Sequence, residues 1–194
     1  MSLIAWPTDL AVTRFNLSLT VSQRVSAAPF GGSEQAVDLL NDRWLLSVEV
    51  GQQSYEIASQ VESFINAMRG QTNTVLLWHF ARPTPRGTLV GSPTAQGASQ
   101  GASSIVLNTT TGYTLKAGDL IGVSDLLLQV QTDCTAAASA ITVPIVNRLR
   151  KAINNGAAVT WDKPTAIFRL LSKSSVLYSA DTSESASIDF GESI

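Results

Sequence analysis

The chain has one cysteine, one histidine, few charges and no long apolar run, and each shortage closes off a class of function. A single thiol, Cys134, cannot form an internal disulfide, so nothing in the sequence points to an oxidising compartment. Lying between Asp133 and an alanine-rich run, it reads as a small buried filler. With one His and one Cys the usual zinc sets cannot be assembled, and no Asp-x-Asx-x-Asx-Gly loop is present for calcium. The same shortage removes the ordinary base of a Ser or Cys nucleophile. His79, between Trp78 and Phe80, reads as a partly buried or interfacial strand residue. Phosphate loops are missing as well: there is no Gly-x-x-x-x-Gly-Lys-Ser/Thr, and Gly97 to Gly101 lacks both the dinucleotide spacing and a following helix.

Charge is equally scarce. Thirteen Lys and Arg against 15 Asp and Glu give a net charge of −2, and 14% of residues are charged where about 25% is usual. Phosphate neutralisation needs clustered Lys and Arg, so nucleic-acid recognition is disfavoured. The one basic group, Arg148-Leu149-Arg150-Lys151, reads as a solvated turn or a subunit contact. Asp181, Glu184, Asp189 and Glu192 read as a solvated acidic end or a charge complement to another subunit. No stretch approaches the 18 apolar residues of a membrane span, and residues 1 to 12 lack the basic and apolar regions of a signal peptide. The sequons at Asn16 and Asn108 are therefore read as accidental. Aromatics amount to 7%, and Trp6, Trp44, Trp78 and Trp161 each fall near a predicted strand, as core or seam residues do.

What is present is material for β-structure. A 44% hydrophobic content supplies an ordinary core for 194 residues, and Ser, Thr, Ala and Gly supply a neutral polar surface. Arg14 to Arg24 alternates apolar and polar as a half-buried strand. Gln35 to Leu40 and Arg43 to Gly51 are predicted to pair as a hairpin through Asn41-Asp42. Ser54 to Arg69 is the one clear helix, with Ile57, Val61, Phe64, Ile65 and Met68 on one face, Ser54 as cap and Gly70 as left-handed stop. Thr74 to Phe80 reads as a buried strand.

Pro83 and Pro85 open a Gly, Ser, Thr, Ala and Gln stretch running to Ser104, whose part from Ser92 onward looks like a flexible linker or a contact segment. Short strands follow at Ile105 to Leu107, Leu120 to Val123, Leu126 to Gln131, Ala140 to Val143 and Ala157 to Trp161, the pattern of a small barrel or sandwich. Strands are predicted again at Ala166 to Ser172, apolar on both faces, at Val176 to Ser179, and at Ala186 to Phe190. The fold class expected is mainly β: a split β-sandwich-like domain with one helix (1–86 plus 164–194), interrupted by a small inserted β-barrel-like module (87–163).

The order of these elements resembles the structural tail proteins of long-tailed bacteriophages, especially the distal tail proteins. The resemblance rests on strand Phe15 to Val21, Asp42-Arg43-Trp44 opening a strand, Met68-Arg69-Gly70 before Val75-Leu76-Leu77-Trp78, and Pro83 leading into the insertion. Within the insertion, Leu115 to Ile121, Val143-Pro144 and Arg148 to Ala152 resemble a recurrent β-module of tail proteins. It implies a virion component without catalytic, cofactor or metal residues. It further implies a homo-oligomeric ring, usually a hexamer, between tail tube and baseplate, hub or fibre proteins, assembled in the host cytoplasm.

Subunit-interface residues are expected among Arg14, Arg24, Phe30, Arg43 and Arg69. The alternative is a carbohydrate-binding module holding host-surface glycan through Tyr113 and Trp161; a glycan-degrading enzyme using two unassigned carboxylates is a third reading.

Overall fold

The computed structural model describes residues 1–7, 10, 12–27, 31–172, 175–179 and 182–193. The protein is mainly β, with sixteen strands and one α-helix among the described residues, and it divides into two compact units.

The first unit comprises residues 1–18, 44–83 and 165–194. Its sheet takes β1 (Leu3–Ile4), β2 (Val12–Thr20), β5 (Arg43–Val50), β6 (Thr74–Trp78), β15 (Thr165–Leu170) and β16 (Ala186–Glu192) in the order β1-β6-β15-β16-β5-β2. β1 runs parallel to β6, while β6, β15, β16 and β5 pair antiparallel in turn. Strand alternation decides which face is buried: Trp44, Leu46, Val48 and Val50 of β5, Ile188 and Phe190 of β16, Phe168 and Leu170 of β15, and Leu77 of β6 all go inside. Each such side chain contributes about 1.5–3 kcal/mol of transfer free energy. β15 is not apolar on both faces as the sequence suggests. Ala166, Phe168 and Leu170 are buried, whereas Thr165, Ile167 and Arg169 are half-buried on the other face.

The helix α1 (Tyr55–Met68) buries Ala58, Val61, Phe64, Ile65 and Met68. Phe64 sits 5.2 Å from the Trp6 ring and 6.4 Å from Phe190, tying helix, N-terminal segment and sheet together. Ser54 holds the N-cap place and its carbonyl accepts the Ala58 N–H, but its hydroxyl makes no cap hydrogen bond. At the other end Arg69 itself (φ 48°) takes the left-handed stop, followed by Gly70 (φ 66°), and the Asn73 side-chain amide donates to the Ala67 carbonyl. Val176 to Ser179 forms no strand; an isolated bridge joins Tyr178 to Ser183.

The second unit comprises residues 19–43 and 84–164. Its six-stranded sheet has the order β11-β10-β14-β7-β8-β13, from β7 (Thr94–Ala95), β8 (Ser104–Asn108), β10 (Leu120–Val123), β11 (Leu126–Gln129), β13 (Ala140–Pro144) and β14 (Ala157–Thr160). Past their ends the two outer strands are joined: Val130 bridges Ile145, the Gln131 N–H donates to Pro144 O at 2.8 Å and the Val146 N–H to Gln129 O at 2.9 Å. The sheet is thereby barrel-like, around a core that includes Ile105, Leu107, Leu115, Ile121, Leu128 and Val143. Ser124 and Asp125, both at positive φ, make the two-residue turn between β10 and β11. The stretch 92–104 is built into this unit: it carries β7, Ala98 bridges Ile153, and Gly101 and Ala102 exchange backbone hydrogen bonds with Leu149. A pair of short strands, β9 (Thr114–Leu115) and β12 (Cys134–Thr135), completes it.

Residues 19–43 group here, although the sequence reading assigns them to the first domain. Asp38 pairs with Arg148 at 3.3 Å, and Arg150 Nη1 donates to Asp42 O at 3.1 Å. The predicted hairpin is also re-paired. β3 (Gln23–Ala27) and β4 (Glu34–Asp38) pair with each other, from Gln23 opposite Asp38 to Ala27 opposite Glu34, while β5 pairs with β16. The predicted strand Arg14 to Arg24 is accordingly two strands, β2 and β3, separated at Val21-Ser22. Hydrophobic pattern explains the choice: β5 has an apolar face to bury, and Glu-Gln-Ala-Val-Asp in β4 has none.

Candidate interaction surfaces

The β3–β4 ribbon is the most exposed regular structure in the second unit. All ten of its residues are exposed, on both faces. Cross-strand register puts Val25 and Ala36 on one face and Arg24 and Val37 on the other. Val25 keeps 53% and Val37 47% of its surface, and Val21 and Leu39 beside them each keep 53%. A two-stranded ribbon with no covered face is marginal in water, and it presents unpaired strand edges.

The residues expected at an interface are distributed over both units. Arg14 projects from β2 with its side chain 82% exposed and pairs with Glu49 at 3.6 Å. Arg69 is exposed at the end of α1, where its backbone conformation is what matters. Arg24 lies on the ribbon, and Arg43 is half-buried at the start of β5. Phe30 lies outside the described residues. Arg24 is therefore the one expected residue that falls on the ribbon among those described. The ribbon escaped the sequence reading because Gln35 to Leu40 was matched to the wrong partner; the available signal was the missing apolar face of β4.

His79 is 9% exposed, just past the end of β6. Its Nδ1 lies 3.0 Å from the Arg82 N–H and its Nε2 3.2 Å from Arg82 Nε, with Phe15 edge-on at 4.5 Å. A neutral ring has one free lone pair, so each tautomer accepts one of these two bonds. Burial, then the neighbouring guanidinium, holds its pKa below the usual value.

Of the C-terminal carboxylates expected to form a solvated acidic end, Glu184 is exposed, whereas Asp189 and Glu192 are engaged within the first unit. Glu192 is buried and accepts the Trp44 N–H at 3.0 Å, and Asp189 accepts the Ser47 hydroxyl at 2.7 Å. Asp181 lies outside the described residues. No group of three metal-ligating side chains occurs among the described residues, and no helix among them is long and apolar enough to cross a membrane. The basic group is engaged internally: besides the Arg148 and Arg150 contacts, Lys151 pairs with Asp125 at 3.7 Å, and Leu149 is core. Cys134 is half-buried against the core of the second unit, and burial raises its pKa.

Of the two aromatics expected to hold a glycan, both pack against that same core. Trp161 also lines an open groove of about 320 Å³, together with Ser92, Pro93, Thr94, Thr160 and Asp162, and Tyr113 does not. No protein-family model matches the chain, and no curated protein matches it in sequence.

Proposed function

We propose that this protein is a non-enzymatic structural subunit that assembles with copies of itself into a closed ring, as a phage tail protein of the distal-tail type. The observation that carries the reading is the β3–β4 ribbon, bare on both faces and apolar at Val21, Val25, Val37 and Leu39. An exposed apolar ribbon is an interaction element or an aggregation hazard. A ring uses such an element productively, since a heterologous contact repeated by rotation closes on itself. The scarcity of charge supports the same reading, because neutral Ser, Thr and Gln surfaces pack without desolvating ions. Tail tube and baseplate, hub or fibre proteins are the partners this role implies, with the virion tail as its place.

Light scattering with negative-stain imaging of the same sample tests it. The expected result is a closed particle at a whole multiple of the chain mass, reduced to monomer by Val25→Asp with Val37→Asp, with unfolding unchanged because both side chains are already solvated. A wild-type chain that stays monomeric at its highest soluble concentration, or a ring indifferent to the double substitution, overturns the proposal.

A further inference from the structure

We propose that the groove between β7 and β14 is a binding site for a neutral saccharide, with Trp161 as its stacking platform. Its floor is made of paired strands: Ala158 lies opposite Thr94, Ala157 opposite Ala95, and the Val159 N–H donates to Pro93 O at 3.0 Å. The platform is held in place beforehand. Trp161 packs against the core of the second unit, and its indole N–H donates to Gly91 O at 2.8 Å, from a glycine at φ 85°.

That hydrogen bond also selects the ligand. With the N–H taken, the indole offers carbon surface, which suits the C–H face of a sugar ring. Beside the indole the groove mixes apolar surface, from Pro93, Ala158 and Val159, with hydroxyls and one carboxylate, from Ser92, Thr94, Thr160 and Asp162. Thr94 Oγ1 accepts from the Asn108 side-chain amide at 3.3 Å, leaving its O–H free to donate. Thr94 and Asp162 thus supply a donor and an acceptor for ligand hydroxyls, while the lone carboxylate disfavours an anionic ligand. An apolar ligand would leave these polar groups without partners, at a cost for each. A volume of about 320 Å³ is near the lower end for ligand sites and accommodates one or two sugar rings.

The inference stands on this groove alone and is independent of ring assembly. Its test is a titration of the full chain, carrying isotope-labelled tryptophan, with malto-, xylo-, manno- and chito-oligosaccharides, and with a uronate oligomer as the anionic control. The Trp161 indole N–H resonance should shift saturably with at least one neutral oligomer and not with the uronate. Thr160→Lys, at an exposed position, should weaken that binding by about tenfold or more with the melting temperature unchanged; Asp162→Ala should weaken it similarly. Trp161→Ala should abolish binding. No shift with any neutral oligomer, a shift with the uronate alone, or wild-type affinity in both Thr160→Lys and Asp162→Ala overturns the proposal.

Discussion

At the scale of single residues, one buried carboxylate organises the entry of the chain into the second unit. Asp119 Oδ1 accepts the Arg86 N–H at 2.8 Å, and Oδ2 accepts the Gly87 and Lys116 N–H groups at 3.0 and 2.8 Å. Asp119→Ala leaves three amides without an acceptor and should cost about 3 kcal/mol or more, read by denaturant unfolding; a loss within experimental error would refute the role. His79 gives a pH effect of definite sign. Its folded pKa is depressed, so on acidification the unfolded chain takes up the proton first. Its contribution is therefore complete above about pH 6.5 and is lost as pH falls through the folded midpoint. The single histidine resonance should titrate below the ordinary value, and wild type should lose more stability than His79→Gln between neutral and mildly acid pH. Asp133 behaves likewise in the carboxylate range. The Ala117 N–H at 2.8 Å and Lys116 Nζ at 2.9 Å keep its pKa low, so the destabilisation by Asp133→Asn should be present at neutral pH and vanish once both states are protonated.

At the scale of elements, what could be read from sequence depended on whether a segment's own pattern fixed its surroundings. α1 was legible because five apolar residues fall on one helical face. Leu120 to Val123 and Leu126 to Gln129 were legible through their turn, Ser124-Asp125. Partnership was not. β4 follows β3 and precedes β5 in the chain, and only burial, which β4 lacks and β5 has, decides which of them joins the sheet. Two-residue strands such as β1 and β7 carry no period at all and are set by their neighbours. The groove proposed to take a saccharide was half legible: Trp161 was singled out and Thr160 and Asp162 adjoin it, but Ser92, Pro93 and Thr94 come from β7 and the segment before it, which look like linker in the sequence. Gly87 shows a constraint of the same hidden kind. A Cβ there would run into the Thr114 carbonyl, so Gly87→Ala should destabilise the second unit by about 3 kcal/mol, with the melting temperature as the check. An alanine variant as stable as wild type would mean that the β9 strand yields at no cost.

At the scale of the molecule, each unit is assembled from segments distant in the chain, and each has a core of its own. The first draws on three stretches, so its core does not form from a continuous piece of sequence; the second draws on two, but its core residues all lie within the stretch 84–164. Phe190 is fully buried in the first unit and Leu107 in the second. Phe190→Ala should cost about 3–5 kcal/mol and Leu107→Ala about 2–5 kcal/mol through lost burial and residual cavity. Native-state hydrogen exchange can locate those losses, because opening free energy is a property of a cooperative unit. Phe190→Ala should lower protection mainly among amides of β5, β6, β15 and β16. Leu107→Ala should do so mainly in β8, β10, β11 and β13, and with them in the ribbon β3–β4, whose anchors Asp38 and Asp42 reach Arg148 and Arg150 of the barrel. If the ribbon instead followed Phe190→Ala, residues 19–43 would belong energetically to the first unit, as the order of the sequence suggests, and those anchors would carry little.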